Sequence, residues 1–143
     1  MAHLGWATQL VERLTGLVDA ADGDARAEEA VARLHVDLAT GLRLAKVVLD
    51  RQDRGQPVLA AAAASKVWAT ELLARMARVG GELLGVDAAR WGPLLAPAPD
   101  VPLGGRIAWE AVERIHPAVS VGANEVQRDL IARLALDLPV RRS

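Results

Sequence analysis

Gly122-Ala123-Asn124-Glu125-Val126-Gln127-Arg128, continued by Asp129-Leu130-Ile131-Ala132-Arg133, opens the last helix that the sequence predicts. Two small residues precede Asn124, and Gln127 follows three positions on. That is the pattern of a reciprocal helix start, in which the Asn124 side chain accepts from the Gln127 amide and the Gln127 side chain reaches back. The unpaired amides of such a start carry the positive end of the helix dipole and favour a phosphate, and Gly122 lets a ligand approach the backbone closely. A plain cap that meets only water is the other reading of the same residues.

The apolar pattern upstream is helical throughout. Leu4 to Ala20 reads as a first helix, with Leu10, Leu14, Leu17 and Val18 on one side, ending near Asp22-Gly23-Asp24. It is short for an outer helix of a large enzyme. A second runs from about residue 25 to 52, because Val31, Leu34, Leu38, Leu42, Ala45 and Leu49 recur at three- and four-residue spacing. Glu28 and Glu29 near its start and Arg51 near its end suit the dipole.

Gly55-Gln56-Pro57 breaks the chain before a third helix over 58–84, whose stripe is Trp68, Leu72, Met76, Val79 and Leu83. The alanine run 60–64 lets a neighbouring helix come close, and Gly80-Gly81 permits close packing. Pro93, Pro97, Pro99 and Pro102 are spaced too closely for a helix or central strand, so 85–105 is expected to be a loop. A short fourth helix covers 106–115, stopped before Pro117. A fifth covers 124–136, with Val126, Leu130, Leu134 and Leu138 as its buried side. Long amphipathic helices with short connections predict an all-α fold in one domain over 1–143. Its architecture is an antiparallel, up-and-down four-helix-type bundle with an additional short helix.

Composition agrees. The 143 residues suit a single core. Tyrosine and phenylalanine are absent and Trp6, Trp68, Trp91 and Trp109 are the only aromatics, a scarcity that disfavours strands. A net charge of −1, with 24% charged residues of both signs interleaved, gives no basic face for nucleic acid and no polybasic patch for lipid. Arg141 and Arg142 read as a solvated tail. Without cysteine there are no disulfides, thiolate chemistry or cysteine-bound zinc. No stretch approaches the roughly 20 apolar residues that span a bilayer, and the N-terminus lacks the pattern of a signal peptide, so the expectation is a soluble, cytoplasmic protein with no membrane association.

Most enzyme signatures are missing. His3, His35 and His116 are scattered, and no metal-ligand cluster forms; His35, beside the stripe of the second helix, reads as a packing residue. No dinucleotide fingerprint, phosphate-binding loop or serine elbow occurs. Glu28-Glu29, and Glu110 with Glu113, look like solvated helix faces rather than a catalytic pair.

The run from Gly122 through Arg133, with its ending Leu136-Asp137-Leu138-Pro139, resembles the C-terminal signature of acyl-CoA dehydrogenases. That family usually writes Glu-Gly-Thr-Asn-Glu-Ile-Gln-Arg, then Asn-Ile-Ile-Ala-Arg and Leu-Gly-Leu-Pro. More faintly, 35–49 resembles the second helix of that family's C-terminal bundle and 66–84 the third. The resemblance implies part of a flavoenzyme that oxidises acyl-CoA thioesters. FAD would be the cofactor, with Gly122, Ala123 and Glu125 facing the adenosine or diphosphate end and Gln127 and Arg128 in support. It also implies that the N-terminal helical domain and middle β-domain, which cover the flavin ring and thioester, are not in these 143 residues. Flavin binding is then expected only with partner domains, in a homo- or hetero-oligomer with an acyl-CoA dehydrogenase-like subunit. The chain alone is not expected to be active.

Departures from the family pattern are instructive. Many members carry the glutamate that takes the proton alpha to the thioester just before the signature glycine; that position is Val121, and valine accepts no proton. No residue is therefore assigned as the base, although some members carry it on the first helix, where Glu12 is the one carboxylate well inside. The family's Arg-x-x-Phe-Gly turn has only Arg13-Leu14-Thr15-Gly16 to match it. Its Gln-x-x-Gly-Gly turn is matched by Glu82-Leu83-Leu84-Gly85-Val86, an acid where an amide is usual. The alternative function is a non-catalytic helical bundle of the same descent, pairing through apolar faces around 60–64 and 130–138.

Overall fold

The computed structural model describes residues 2–20, 24–92, 100–113, 119 and 122–139. These form five α-helices: α1 (Ala2–Ala20), α2 (Ala25–Asp53), α3 (Leu59–Leu84), α4 (Arg106–Glu113) and α5 (Asn124–Ala135). Two 3₁₀ turns, Gly85–Ala89 and Pro102–Gly105, occupy the two ends of the segment 85–105 expected to be a proline-rich loop, of which 93–99 lies outside the described residues. No strand occurs among the described residues. The expected last residues of the fourth helix, His116, Val121 and the arginine tail also lie outside them.

Each long helix is built as its apolar spacing demands. On α1, Leu4, Ala7, Leu10, Val11, Leu14 and Val18 are buried, a three-and-four repeat along one face. Asp24 caps α2, its carboxylate accepting from the Arg26 amide at 3.0 Å, which satisfies one of the orphan donors of a helix start. Leu14, Leu72, Met76 and Val11 lie at the centre of a core to which α1, α2, α3 and Ile107 of α4 contribute.

Successive helices run antiparallel. Thr15 of α1 meets His35 of α2 at 2.9 Å, while Leu4 lies against Gly41. In turn Asp37 of α2 meets Arg75 of α3 at 2.8 Å, and Gly41 lies against Trp68. A Cβ at Gly41 would stand 2.9 Å from Leu4 Cδ2 and 3.2 Å from Trp68 Cδ1, so a glycine is what allows three helices to converge there. Asp37 fastens the hairpin twice over. Its carboxylate takes Arg75 and its carbonyl accepts from Trp68 Nε1 at 2.8 Å, with the guanidinium 5.1 Å over the indole.

Several sequence expectations are corrected by this packing. Leu42 and Leu49, part of the α2 stripe, are exposed. The stripe assigned to α5 is covered only in part: Leu130 is half-buried, but Val126, Leu134 and Leu138 are each more than half exposed, and Asn124 makes polar contacts to α3. His35 is exposed and bonded to Thr15 rather than packed. Glu110 is 3% exposed, not solvated. A Cβ on Gly80 would overlap the Ile107 side chain, so Gly80 does serve close packing, whereas nothing lies within 4 Å of one on Gly81.

Candidate functional site

The start of α5 is built on α3. Ala123, at φ −54° and ψ 154°, is the N-cap residue and offers no side-chain hydrogen bond. The Gln127 amide donates to the Ala123 carbonyl at 3.0 Å. Asn124, the expected cap, is instead the first helical residue and turns inward: its Nδ2 donates to Thr70 Oγ1 at 3.0 Å and its Oδ1 accepts from Lys66 Nζ at 3.0 Å. The Thr70 hydroxyl lies 3.0 Å from the Val67 carbonyl. An amide 7% exposed beside a buried hydroxyl and an ammonium has its polar atoms satisfied there, an arrangement sequence spacing cannot foresee.

Lys66 ties this mouth together. Its ammonium also donates to the Gly122 carbonyl at 2.6 Å. Burial holds its pKa below the ordinary 10.5, against the opposing pull of Glu125. Gly122 has φ +87°, a conformation open to glycine, and a Cβ there would stand 2.6 Å from Gln127 Nε2. Gln127 thus does fold back toward Gly122. Arg128 pairs with Glu71 of α3.

Of the residues expected at the site, Gly122, Glu125 and Arg128 are exposed, and Ala123 and Gln127 are half-buried. Lys66 and Thr70 are the partners that sequence reasoning missed. One signal was available: Lys66 is the single charge in the apolar run Leu59–Ala69.

The other motifs separate from this mouth. Arg13-Leu14-Thr15-Gly16 lies inside α1, with Leu14 fully buried, and forms no turn. Glu82 is exposed and pairs with Arg78 at 2.8 Å, ahead of a real bend at Gly85, φ +55°. Glu12 is exposed on α1. No group of three or more His, Cys, Asp or Glu able to hold a metal occurs among the described residues, and none of their helices is long and apolar enough to cross a membrane.

Two further features stand out. An open groove of about 290 Å³ lies where α2 and α3 run on past the start of α1, floored by Leu4, Ala45, Val48, Leu49, Ala62 and Ala69. Gln52, Ser65 and Lys66 complete it, so Lys66 stands both in the groove wall and at the α5 mouth. Elsewhere, Arg106 lies between two indoles, 3.9 Å from the Trp6 ring centre and 4.2 Å from that of Trp109, and pairs with the buried Glu110. This clasp joins α4 to α1. Desolvation raises the Glu110 pKa, against the lowering effect of Arg106.

With this geometry the comparisons with known proteins can be read. Residues 23–136 match the family model described as acyl-CoA dehydrogenase, C-terminal domain. The chain belongs to the acyl-CoA dehydrogenase family. Its fold superposes on a solved structure described as the Tcur3481-Tcur3483 steroid ACAD, with TM-score 0.81 and 21% identity. That match covers 97% of this chain and 36% of the other. A point variant of the same enzyme gives TM-score 0.79, 21% identity and coverage of 97% and 37%. This acyl-CoA dehydrogenase domain therefore spans little more than a third of the solved chains it matches. No curated protein sequence matches it.

Proposed function

We propose that the chain supplies the flavin-binding, C-terminal helical part of an FAD-dependent acyl-CoA dehydrogenase, acting together with the N-terminal helical and middle β-domains of such an enzyme. The observation that carries this reading is the mouth of α5. It opens on a glycine at positive φ, its N-cap residue Ala123 offers no side-chain hydrogen bond, and the Lys66 ammonium stands at the Gly122 carbonyl. Helix-start amides and a nearby cation form a donor set suited to a diphosphate.

In this reading Gly122, Ala123 and Glu125 face the adenosine or diphosphate end of FAD. Gln127 supports them by lying over Gly122, and Arg128 by its pair with Glu71. Bound FAD supplies the acceptor for the hydride leaving the beta carbon of an acyl-CoA thioester. The chain's own contribution is to bind and orient, since no residue of it is assigned as the base that takes the alpha proton. The β-domain and N-terminal helices must exclude water from the reacting atoms, because the desolvation and preorganised electrostatics of such a transfer depend on a closed site.

The test is the visible spectrum of the purified protein with added FAD, alone and co-purified with an acyl-CoA dehydrogenase chain that carries the two other domains. Flavin bands retained in the co-purified complex, and lost on Gly122→Val with helicity unchanged, support the reading. A complex that stays colourless with FAD overturns it.

A further inference from the structure

The peptide between Gly122 and Ala123 has no local reason to face one way rather than the other. Gly122 sits at φ +87°, and without a Cβ it does not bar the plane that follows it from turning over. A contact from another helix gives the plane its direction. The Gly122 carbonyl is turned toward α3, where the Lys66 ammonium donates to it at 2.6 Å. In a planar trans peptide the N–H stands opposite the C=O, so the Ala123 amide is turned away from Lys66. The ammonium is itself held in place. Asn124 Oδ1 accepts from it at 3.0 Å, and Asn124 Nδ2 donates to Thr70 Oγ1 at 3.0 Å. The Thr70 hydroxyl lies 3.0 Å from the Val67 carbonyl and 3.1 Å from that of Lys66, so this chain of bonds ends on the backbone of α3. Asn124 and Thr70 are both buried, and a buried polar chain with its members satisfied is rigid, because rearrangement strands one of them.

We propose that Lys66 is a positioning residue for the FAD diphosphate: by holding the Gly122 carbonyl against α3, it keeps the Ala123 amide turned away from α3 as a donor. This rests on the flavin-binding reading above and adds to it the bond that aims the amide. A donor fixed before the ligand arrives spares the ligand the cost of ordering it, which is why the aiming bond bears on affinity. Lys66 acts through the peptide plane, with Asn124 and Thr70 restraining its long side chain. A side chain of similar length that cannot donate leaves the plane free to turn.

The test uses this chain co-purified with an acyl-CoA dehydrogenase chain that carries the two other domains. The complex is stripped of flavin, then titrated with FAD and, separately, with riboflavin, which has no phosphate. The unmodified chain, Lys66→Met and Lys66→Arg are compared. Loss of a hydrogen bond from a charged donor predicts FAD binding weaker by about 10-fold or more in Lys66→Met, with helicity unchanged. Lys66→Arg, which keeps cationic donors, should recover part of that loss, and riboflavin should bind Lys66→Met as it binds the unmodified complex. FAD bound equally by Lys66→Met, a riboflavin loss as large as that for FAD, or no recovery in Lys66→Arg overturns the proposal and leaves the flavin site standing. An unmodified complex that takes up no FAD overturns both. If Lys66→Met does not fold, Thr70→Val takes its place: it keeps the ammonium but removes the hydroxyl that anchors Asn124, so FAD affinity should fall several-fold. Unchanged affinity in Thr70→Val would then count against the proposal.

Discussion

Asn124 shows how one side chain can answer a different need from the one its position suggests. As an N-cap it would satisfy one amide; turned inward it satisfies Lys66 and Thr70 and pins α5 to α3. Glu110 is the second case, a carboxylate in an eight-residue helix that ends up against Arg106 between two indoles. Its folded pKa is raised above the 4.5 of the free group, chiefly by burial. A carboxylate with a raised folded pKa stabilises the fold most when both states are protonated. That contribution is full below about pH 4.5 and fades as pH rises through the folded pKa. Thermal midpoints of the native protein and of Glu110→Gln, followed from about pH 4 to about pH 7, should therefore diverge in slope. The native protein loses stability relative to the variant as pH rises, and parallel curves would show that Glu110 does not titrate in this window.

At the scale of elements, close approach is what fixes the angles between helices. Gly80 lets Ile107 of α4 enter the surface of α3, with Leu14 Cδ2 3.4 Å from where a Cβ would be. Ile107 is 3% exposed and has little room to move. Gly80→Ala is expected to gain helix propensity but lose more to overpacking, a net destabilisation of about 1–3 kcal/mol in urea unfolding. Gly81→Ala, facing open space, should instead be neutral or stabilising, by up to about 1 kcal/mol. A loss at Gly81 equal to that at Gly80 would mean that backbone entropy, not contact, governs both. α5 differs in kind from α2 and α3, since its attachment includes the polar contacts of Asn124, Lys66 and the Arg128–Glu71 pair, while Val126 and Leu134 are exposed.

For the whole molecule, α1, α2, α3 and α4 share one core centred on Leu14, Leu72, Met76 and Val11. Leu14→Ala leaves a cavity where three elements meet and is expected to cost about 2–5 kcal/mol, lowering helical and tryptophan signals at one common denaturant midpoint. Separate midpoints would show that α4 and its Trp6–Arg106–Trp109 clasp unfold apart from the rest. The proposed flavin surface lies away from this centre, so variants there should leave that midpoint nearly unchanged.

The sequence by itself determined that the chain is helical and which family it resembles. Periodic apolar residues, a proline-rich break and the signature from Gly122 to Arg133 are local, and local patterns survive without knowledge of neighbours. The burial of Leu10, Leu14, Leu72 and Met76 came from the same source, because an apolar stripe can be buried only on its own side of the helix. What the tertiary structure alone decided was which apolar stripes find a partner. Leu42, Leu49 and Leu134 carry the same pattern as buried leucines, yet stand exposed, because burial depends on which face of a helix its neighbours pack against. It decided equally that Lys66, thirteen residues beyond Asp53 in another helix, would hold the mouth of α5. Contacts between residues 56 positions apart are set by how whole helices pack, and no spacing rule within one helix encodes them.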